Sequence, residues 1–282
     1  MDSQKKHGRT LSFEYFPPKN AEGKSRLRET TQQLAQLKPA FFSVTFGAGG
    51  STRTGTYEAV AEIQNRGLNA APHISCISSS RESIDELLRA YVTLGIKRLV
   101  ALRGDRPKDG SEIRAAFAHP DELIGFIRAQ TGDHFHIEVA AYPEFHPESP
   151  SPESDLRYFK RKVDAGADSA ITQYFYNPDA YFRYVDACEA LGLDVPIVPG
   201  VMPITNYKQL ARFSDTCGAE IPRWIRRRLE AFGEDLDSIR AFGLDVTTDL
   251  CDRLLQAGAP GLHFYTLNRA GPVCTVWERL GL

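Results

Sequence analysis

One candidate catalytic residue is Glu14, the single acid inside the apolar run at residues 11–18 (LSFEYFPP). A run this short and this rich in aromatic residues is typical of a buried strand. Side chains alternate between the two faces of a strand, so Glu14 shares its face with Ser12 and Phe16. A carboxylate removed from water must be paired, or must raise its pKa and keep its proton. Glu14 is therefore a general acid or the acidic half of a buried ion pair with an Arg or Lys, and the residues alone leave both open.

Polar residues and glycines also follow the other strand-like runs. Arg103 and Lys162 could meet phosphates, and the glycines of residues 47–50 (GAGG) let the backbone approach a ligand closely. This composition suits a large, flat, partly anionic cofactor better than it suits hydrolysis. The strand-end set is Glu14, Thr45, residues 47–50, His73, Arg103, Gly104, Asp105, residues 140–144 (AAYPE), Gln173, Pro199, Gly200 and residues 266–269 (TLNR).

Several of the candidate residues also have a simple structural explanation. Lys162 stands seven residues after Asp155 in a helix-like segment, so both point to one side, and the sequence by itself favours a solvated helix edge. His73 alone is more often a hydrogen-bonded core histidine than a ligand or base. His134 and His136 have metal-like spacing, but they stand at the start of their strand, on the face that serves stability.

Three reaction classes are disfavoured by the residues at the strand ends. No strand end carries a Lys suited to a Schiff base, which weakens an aldolase interpretation. The chain contains no G-x-S-x-G nucleophile elbow. A hydrolytic metal site needs more His and carboxylate ligands at one rim than these positions supply, so we expect no metal.

The hydrophobic pattern predicts an α/β fold, a (β/α)8 TIM barrel with extra helices between strands seven and eight. An open doubly wound sheet is the alternative, but no G-x-G-x-x-G follows the first strand. We expect residues 1–10 to form a polar N-terminal tail and residues 11–282 a single catalytic barrel domain. The strand candidates are residues 11–18, 39–46, 70–76, 96–102, 134–141, 168–176, 195–201 and 261–266. The helix candidates are residues 24–37, 54–66, 83–94, 121–130, 153–165 and 178–190, with further helical material in 206–257 and left-handed ends at Gly67, Gly95, Gly166 and Gly192.

Composition places the chain among ordinary globular proteins. Its charged fraction is 25%, its hydrophobic fraction 42% and its net charge −2, which provides no electrostatic case for nucleic acid or an anionic membrane. No apolar run approaches the ~20 residues of a membrane span, and the polar N-terminus does not resemble a signal peptide. The five cysteines form no C-x-x-C pair, so we expect a reduced, cytoplasmic protein without structural zinc.

Seven short blocks of the sequence, in order, resemble the methylenetetrahydrofolate reductase family. Any one block is weak, but the set is highly specific and covers nearly the whole chain. The resemblance is to the short bacterial form, which has the catalytic barrel only. The blocks are residues 13–18 (FEYFPP), 44–48 (VTFGA), 71–73 (APH), 102–105 (LRGD), 140–144 (AAYPE), 171–173 (ITQ) and 263–269 (HFYTLNR).

The resemblance implies an FAD enzyme that reduces 5,10-methylenetetrahydrofolate to 5-methyltetrahydrofolate and feeds methionine synthesis. Hydride would pass from NADH or NADPH to the flavin and then to the folate, in a ping-pong sequence. Bacterial relatives lean towards NADH, and relatives assemble, so a homo-oligomer is expected. Glu14 would protonate the folate nitrogen as the ring opens, and Asp105 would sit by the flavin and pterin and favour the developing cation.

The resemblance also implies roles for the binding residues. Gln173 and Gln209 would orient folate and nicotinamide, Phe213 would provide a stacking face, and Leu267 would line the substrate pocket. The residues that would hold FAD are Thr45, His73, Arg103, Gly104, Tyr142, Asp155 and Lys162, with backbone contacts from Ala118 and Ala140.

Two alternative functions stay open from the sequence. One is another FAD-dependent barrel dehydrogenase, for instance one that is proline-dehydrogenase-like and acts on a proline-like amine. The other is a non-catalytic binding subunit on the same fold. Intact Glu14 and Asp105 count against the second, because folding alone does not demand two acids at that rim.

Overall fold

Strands and helices alternate along the chain, which a computed structural model describes over residues 1–46, 53–77, 80–104 and 116–282. The eight predicted strands and the six predicted helices of the βα units are present. The strands are β1 (Thr10–Tyr15), β2 (Phe41–Val44), β3 (Ala70–Ser75), β4 (Arg98–Leu102), β5 (His136–Ala141), β6 (Ser169–Thr172), β7 (Ile197–Val198), β8 (Gly200–Val201) and β9 (Gly261–Tyr265). The helices are α1 (Asp2–Lys5), α2 (Ala21–Ala35), α3 (Arg53–Asn65), α4 (Arg81–Thr93), α5 (Pro120–Thr131), α6 (Pro152–Asp164), α7 (Pro178–Ala190), α8 (Tyr207–Cys217), α9 (Arg223–Phe232), α10 (Leu236–Gln256) and α11 (Gly271–Leu280). Positive φ angles occur at the predicted helix ends Gly67, Gly95, Gly166 and Gly192.

The strands form one sheet in which neighbours in the chain lie side by side. β1 pairs with β2, β2 with β3, β3 with β4 and β4 with β5, and each of these pairs is parallel. The order across the sheet is β7-β6-β5-β4-β3-β2-β1-β9-β8. This order, with helices between successive strands, confirms the predicted (β/α)8 barrel class.

The predicted seventh strand is interrupted at its centre. β7 ends at Val198 and β8 begins at Gly200, so only Pro199 separates them. Proline carries no amide hydrogen and cannot donate to a strand ladder. Its carbonyl oxygen still accepts from His263 N at 3.0 Å, and pairing resumes where Gly200 lies opposite His263.

Three helices, α8, α9 and α10, occupy the long connection between β8 and β9, which confirms the predicted extra helices. The side chain of Asn206 caps α8 by accepting from Gln209 N. Asp235 caps α10 by accepting from the amides of Asp237 and Ser238. Caps of this kind satisfy amide groups that have no partner within the first turn of a helix.

The chain divides into two compact units. Unit 1 comprises Met1–Leu11, Ala141–Lys160 and Ile171–Leu282, and unit 2 comprises Ser12–Ala140 and Arg161–Ala170. The division into a tail at residues 1–10 and one domain at 11–282 stays a prediction.

The core of unit 2 includes aromatic side chains of its first two strands. Phe13 and Phe42 are almost fully buried, with ring centroids 5.7 Å apart. Tyr15 stacks on Phe42 at 5.4 Å. Phe16 lies just past the end of β1 and is 44% exposed, so aromatic side chains do not cover both faces of the first strand.

The core of unit 1 includes buried tyrosines whose hydroxyl groups have partners. Tyr181 stacks on Phe175 at 5.7 Å, and its hydroxyl donates to Ile197 O at 2.7 Å. The N-terminal residues also join this unit, because the buried side chain of Gln4 accepts from Ile197 N at 2.7 Å and donates to Val195 O at 3.2 Å. The hydroxyl of Tyr181 and the side-chain amide of Gln4 are therefore both hydrogen-bonded to the strand segment at residues 195–197.

The cysteines carry free thiols at all five positions, namely Cys76, Cys188, Cys217, Cys251 and Cys274. Burial raises the pKa of the Cys76 and Cys188 thiols to about 12, so both stay protonated at neutral pH. Within the part of the chain that the structure describes, no helix has the length and apolar character needed to cross a membrane.

Gly200, the first residue of β8, packs closely against Thr172, the last residue of β6. A Cβ at this position would stand 2.1 Å from Thr172 O and 2.6 Å from the ring of Tyr265. The carbonyl group cannot move without disturbing its own strand. We therefore expect Gly200→Ala to lower the free energy of unfolding by about 1–3 kcal/mol, the usual cost of overpacking, as measured by urea denaturation.

Gly125→Ala is the matched control. Gly125 is exposed within α5, and, apart from its own stretch of helix, no atom of the described residues lies within 4 Å of the position that its Cβ would take. Alanine is a better helix former than glycine, so the free energy of unfolding of this variant should rise by about 0.5–1 kcal/mol. Equal effects of the two substitutions would show that the approach of Gly200 to Thr172 does not constrain the strands.

Candidate active-site residues

Glu14 and His73 come together in unit 2, on strands that β2 separates. Glu14 lies opposite Ser43 and Ser43 opposite Ala71, which is two residues before His73 on the same strand face. The small side chain of Ser43 leaves room for Glu14 Oε2 to lie 3.4 Å from His73 Nε2, with the two side chains 18% and 6% exposed. The acid is therefore paired, and its partner is an imidazole, whose ring nitrogens can donate or accept a proton. The pairing leaves acid–base chemistry open to Glu14.

The chain leaves β4 through a turn that requires glycine. Gly104 has a φ of +88°, and a Cβ there would stand 2.1 Å from Ser75 Oγ. Ser75 Oγ donates to Arg103 O at 2.8 Å, which ties the turn to the end of β3. The backbone of Arg103 is thereby fixed where β4 ends. Asp105, the acid predicted beside the flavin and pterin, lies outside the described residues, as do residues 47–50.

Lys162 is buried, with 9% of its surface exposed, so the interpretation as a solvated helix edge is wrong for this residue. Its ammonium group donates to Ala140 O near the end of β5. A charge taken out of water needs such partners, because an unpaired buried charge is costly. Asp155, earlier on α6, is half-buried and belongs to unit 1. Unit 2 therefore holds a buried cation next to a strand end.

Thr45 and Ala118 stand in loops of unit 2 whose backbone groups already have partners. Thr45 N donates to Tyr15 O at 2.8 Å, and Thr45 O accepts from the hydroxyl of Thr56 at 2.9 Å. Ala118 is exposed, and its N–H donates to the carboxylate of Glu122 at 3.1 Å. A ligand could use the Thr45 hydroxyl or the Ala118 carbonyl without breaking these bonds, but not the Ala118 amide.

In unit 1, Gln173 directly follows the last residue of β6. Thr172 O accepts from the Tyr265 hydroxyl at 2.7 Å, and Thr172 Oγ1 accepts from Gly200 N at 2.9 Å. These bonds align the ends of β6, β8 and β9 and fix the backbone that carries Gln173. The side-chain oxygen of Gln173 accepts from Tyr174 N at 3.0 Å, so its NH₂ group points the other way and is the donor end.

Gln209 and Phe213 lie one turn apart on α8, and both are half-buried. The cap residue Asn206 accepts from Gln209 N at 2.9 Å. The guanidinium of Arg212 lies 5.9 Å from the centre of the Phe213 ring. An amide beside a partly exposed aromatic ring can bind a flat polar ligand by hydrogen bonding and stacking.

Leu267 stands in the turn after β9 with a left-handed backbone. Its φ is +50°, and that of Asn268 is +56°. Asn268 N donates to Thr266 Oγ1 at 3.1 Å, which closes the turn. A bulky residue with positive φ is an outlier, because its side chain crowds the backbone. Strain of this kind is concentrated at functional sites, which supports a functional role for this turn.

Known proteins resemble this chain over nearly its whole length. Residues 1–281 match the model of the family described as methylenetetrahydrofolate reductase. The chain belongs to the methylenetetrahydrofolate reductase family. It is 40% identical over 273 residues to the 5,10-methylenetetrahydrofolate reductase of Pectobacterium carotovorum subsp. carotovorum, covering 96% of this chain and 90% of that one. It is also 40% identical over 289 residues to a probable methylenetetrahydrofolate reductase (NADH) of Oryza sativa subsp. japonica, covering 98% of this chain and 49% of that one.

A solved structure shares the fold. It is an uncharacterised protein from Clostridium thermocellum that binds two copies of 5-methyl-5,6,7,8-tetrahydrofolic acid, and it matches with a TM-score of 0.69. The match covers 98% of this chain and 95% of that one at 14% sequence identity, so it concerns the fold alone. Membership of the methylenetetrahydrofolate reductase family confirms the predicted enzyme class, an oxidoreductase.

A second buried acid, Glu138 on β5, had no predicted role. It is 1% exposed, accepts from Ser169 Oγ at 2.5 Å and contacts Arg98 and His136. Burial by itself would raise the pKa of Glu138, but the hydrogen bond from His136 and the charge of Arg98 hold it below its ordinary value. An acid inside an apolar strand is the same sequence signal as Glu14. Partners of Glu138 on neighbouring strands make it part of the scaffold.

Glu144, the last residue of the AAYPE block, also had no predicted role. It stands two residues after Tyr142, whose ring packs edge-on against His146 at 4.8 Å. Glu144 Oε2 accepts from Glu220 N at 2.8 Å. Burial raises the pKa of Glu144 from 4.5 to about 7, although the hydrogen bond from Glu220 N opposes the rise. This carboxyl group therefore changes charge near neutral pH.

The raised pKa of Glu144 predicts a pH-dependent stability. Between pH 4.5 and about 7 the folded chain keeps a proton on Glu144 that the unfolded chain has released, so this contribution to stability falls as the pH rises. Glu144→Gln should remove it, because glutamine cannot ionise but keeps the oxygen that accepts from Glu220 N. As the pH rises from about 5 to about 8, the free energy of unfolding of the variant should therefore increase relative to that of the parent, as measured by urea denaturation. Parallel curves for the two proteins would contradict the buried acid.

Proposed function

We propose that this chain reduces 5,10-methylenetetrahydrofolate to 5-methyltetrahydrofolate, with bound FAD and with NADH or NADPH as hydride donor. The family and the two relatives described above support the reaction. The observation in this chain that carries the proposal is the contact of 3.4 Å between Glu14 and His73. It provides an acid beside a base at the end of the first strand. The fold neighbour from Clostridium thermocellum binds the methylated folate that this reaction would produce.

Glu14 is the proposed general acid. The five-membered ring of the substrate opens when one of its two methylene–nitrogen bonds breaks, and the leaving nitrogen must take up a proton. Glu14 would donate this proton, and His73 is close enough to return one to the carboxylate. The opened ring is an iminium cation whose methylene carbon accepts the hydride. Asp105 is proposed to favour this cation through its negative charge.

FAD, when bound, would carry hydride from the nicotinamide to the folate. The donor set of unit 2 fits such a cofactor, because Lys162 is a buried cation and Arg103 is fixed at a strand end. Cations suit the diphosphate, and the Thr45 hydroxyl and the His73 ring suit its polar remainder. The proposed FAD residues of unit 2 are Thr45, His73, Arg103, Gly104, Ala118, Ala140 and Lys162. Tyr142 and Asp155 of unit 1 keep the same proposed role.

The folate and nicotinamide residues are proposed from unit 1. Gln173 would direct its NH₂ group to the folate, since its oxygen is already bound to Tyr174 N. Gln209 would supply a second amide, Phe213 a stacking face, and the strained turn at Leu267 a wall of the substrate pocket. The name of the rice relative includes NADH, which makes NADH the donor to test first. A cytoplasmic homo-oligomer that supplies methionine synthesis remains our proposal.

An anaerobic visible spectrum tests the proposed function. Purified protein reconstituted with FAD should show flavin absorption that bleaches with NADH and returns when methylenetetrahydrofolate is added. Flavin that bleaches with NADH but does not return would point to another acceptor, as in a dehydrogenase of a proline-like amine. Protein that binds no flavin after reconstitution would contradict the proposal and favour a binding subunit.

Glu14→Gln should slow folate reduction by about 10²–10⁴-fold, the usual contribution of a general acid. Flavin should remain bound and should still bleach with NADH, since the substitution keeps the shape of the side chain. Glu58→Gln is the control, because this acid is exposed and pairs with Lys24 at 2.7 Å. Folate reduction at the parental rate in Glu14→Gln would remove Glu14 from the mechanism.

A further inference from the structure

Tyr174 links the end of β6 to helix α8 in unit 1. It is 5% exposed, and its hydroxyl shares a hydrogen bond of 3.1 Å with Ser214 Oγ. The same hydroxyl oxygen accepts from Cys217 Sγ at 3.4 Å. Burial holds the pKa of Tyr174 above its ordinary value, so the group keeps its hydrogen. One hydroxyl thus holds the C-terminal half of α8 through two of its residues.

Other groups fix the two ends of this helix. At the N-terminal end, Asn206 caps the helix, and a Cβ at Gly243 of α10 would stand 2.2 Å from Ile204 O. At the C-terminal end, Gly218 has a left-handed backbone and packs so closely that a Cβ would stand 2.7 Å from the ring of Pro147. These contacts set the line of the helix axis. Rotation of the helix about that axis is opposed by two exposed contacts, Tyr207 with Glu230 and Lys208 with Glu234, and by the buried face of the helix.

The buried face of α8 adjoins the residues with proposed binding roles. Leu210 and Ser214 are buried, and Cys217 stands one turn further along the same face. Gln209 and Phe213 each precede a buried residue by one position, so they lie about 100° round the helix from that face. A rotation of α8 would therefore carry Gln209 and Phe213 sideways. The bonds from Tyr174 to Ser214 and Cys217 oppose such a rotation.

Tyr174 also holds the third residue with a proposed binding role. Its backbone N–H donates to the side-chain oxygen of Gln173 at 3.0 Å, which orients the amide of Gln173. One residue therefore contacts Gln173 through its backbone and the helix of Gln209 and Phe213 through its side chain. The arrangement couples the two parts of unit 1 that are proposed to hold folate and nicotinamide.

We propose that Tyr174 is a positioning residue whose hydroxyl, through Ser214 and Cys217, sets where Gln209 and Phe213 stand and so sets the affinity for folate and nicotinamide. This inference rests on the proposed function. It concerns substrate binding and not the chemical step, so it predicts a larger effect on KM than on kcat.

Tyr174→Phe tests the hydroxyl alone. The ring keeps its contacts with Tyr176 at 5.9 Å and Tyr265 at 6.4 Å, while Ser214 and Cys217 lose their partner. We expect KM for methylenetetrahydrofolate and for NADH to rise about 3- to 30-fold, the effect of one lost buried hydrogen bond. The fall in kcat should be smaller, and the amount of bound flavin should not change. Unchanged KM values for both substrates would overturn the inference.

The double variant Tyr174→Phe/Ser214→Ala separates positioning from stability. Removing both partners of a buried hydrogen bond leaves no unsatisfied polar group between them, so stability should return towards that of the parent. KM should stay raised, because α8 still lacks the bonds from the Tyr174 hydroxyl that oppose its rotation. A KM that recovers together with the midpoint of urea denaturation would show a structural role only and would overturn the inference.

Tyr181→Phe is the matched control. Tyr181 is also a buried tyrosine of unit 1, but its hydroxyl donates to Ile197 O at 2.7 Å and not to α8. Its loss should lower stability to a similar extent without raising KM. A rise of KM equal to that of Tyr174→Phe would show that any buried hydroxyl of this unit matters equally, which contradicts a specific role for Tyr174.

Two measurements that do not depend on enzymatic activity can test the anchoring of α8 separately from the proposed function. Hydrogen exchange at the amides of α8, followed by mass spectrometry, should speed up in Tyr174→Phe and not in Tyr181→Phe. Alkylation of Cys217 by iodoacetamide should speed up in the same variant. If the parent fails to reduce folate while these two rates rise only in Tyr174→Phe, the proposed function fails and the anchoring of α8 stands. Rates equal to those of the parent would overturn the anchoring itself.

Discussion

The carbonyl oxygen of Thr172 is packed so tightly that no further side-chain atom fits beside it. It accepts from the Tyr265 hydroxyl at 2.7 Å, and Gly200 approaches it so closely that a Cβ would stand 2.1 Å away. The hydroxyl of Thr172 accepts from Gly200 N at 2.9 Å. Hydrogen bonds of these lengths tolerate little displacement, so they fix the positions of β6, β8 and β9 relative to one another at this point. Gln173 directly follows Thr172, and the turn that contains Leu267 directly follows β9. The contacts of Thr172 therefore help to fix the positions of both.

Among the described residues of unit 2, two acids lie inside strands, and the side chains that they contact distinguish their roles. Glu138 is fully buried, and contacts with Arg98, His136 and Ser169 keep it ionised. Such an acid cannot donate a proton at neutral pH. Glu14 is 18% exposed and lies beside His73, which can itself take up a proton. The same residue type in the same kind of strand is thus scaffold in one place and a candidate acid in the other.

The sequence predicted the secondary-structure elements well. It predicted the burial and the contacts of individual side chains less well. Alternating apolar runs and amphipathic segments predicted the strands, the helices and the extra helices before β9, because these patterns are local. The same local logic placed Lys162 on a solvated helix edge, whereas the residue is buried and donates to Ala140 O. Helical periodicity reports which side chains share a face. It does not report what lies against that face.

The sequence by itself determined the class of fold, through the repetition of strand and helix, and the family, through ordered motifs such as residues 13–18 and 263–269. Only the tertiary structure decided which groups meet. The partner of Glu14 is on another strand, and α8 meets Tyr174 through Ser214 and Cys217. Such pairs depend on strand register and on helix rotation, which are set by packing across the whole unit. A local pattern of residues does not carry that information, because the residues that meet are far apart in the chain.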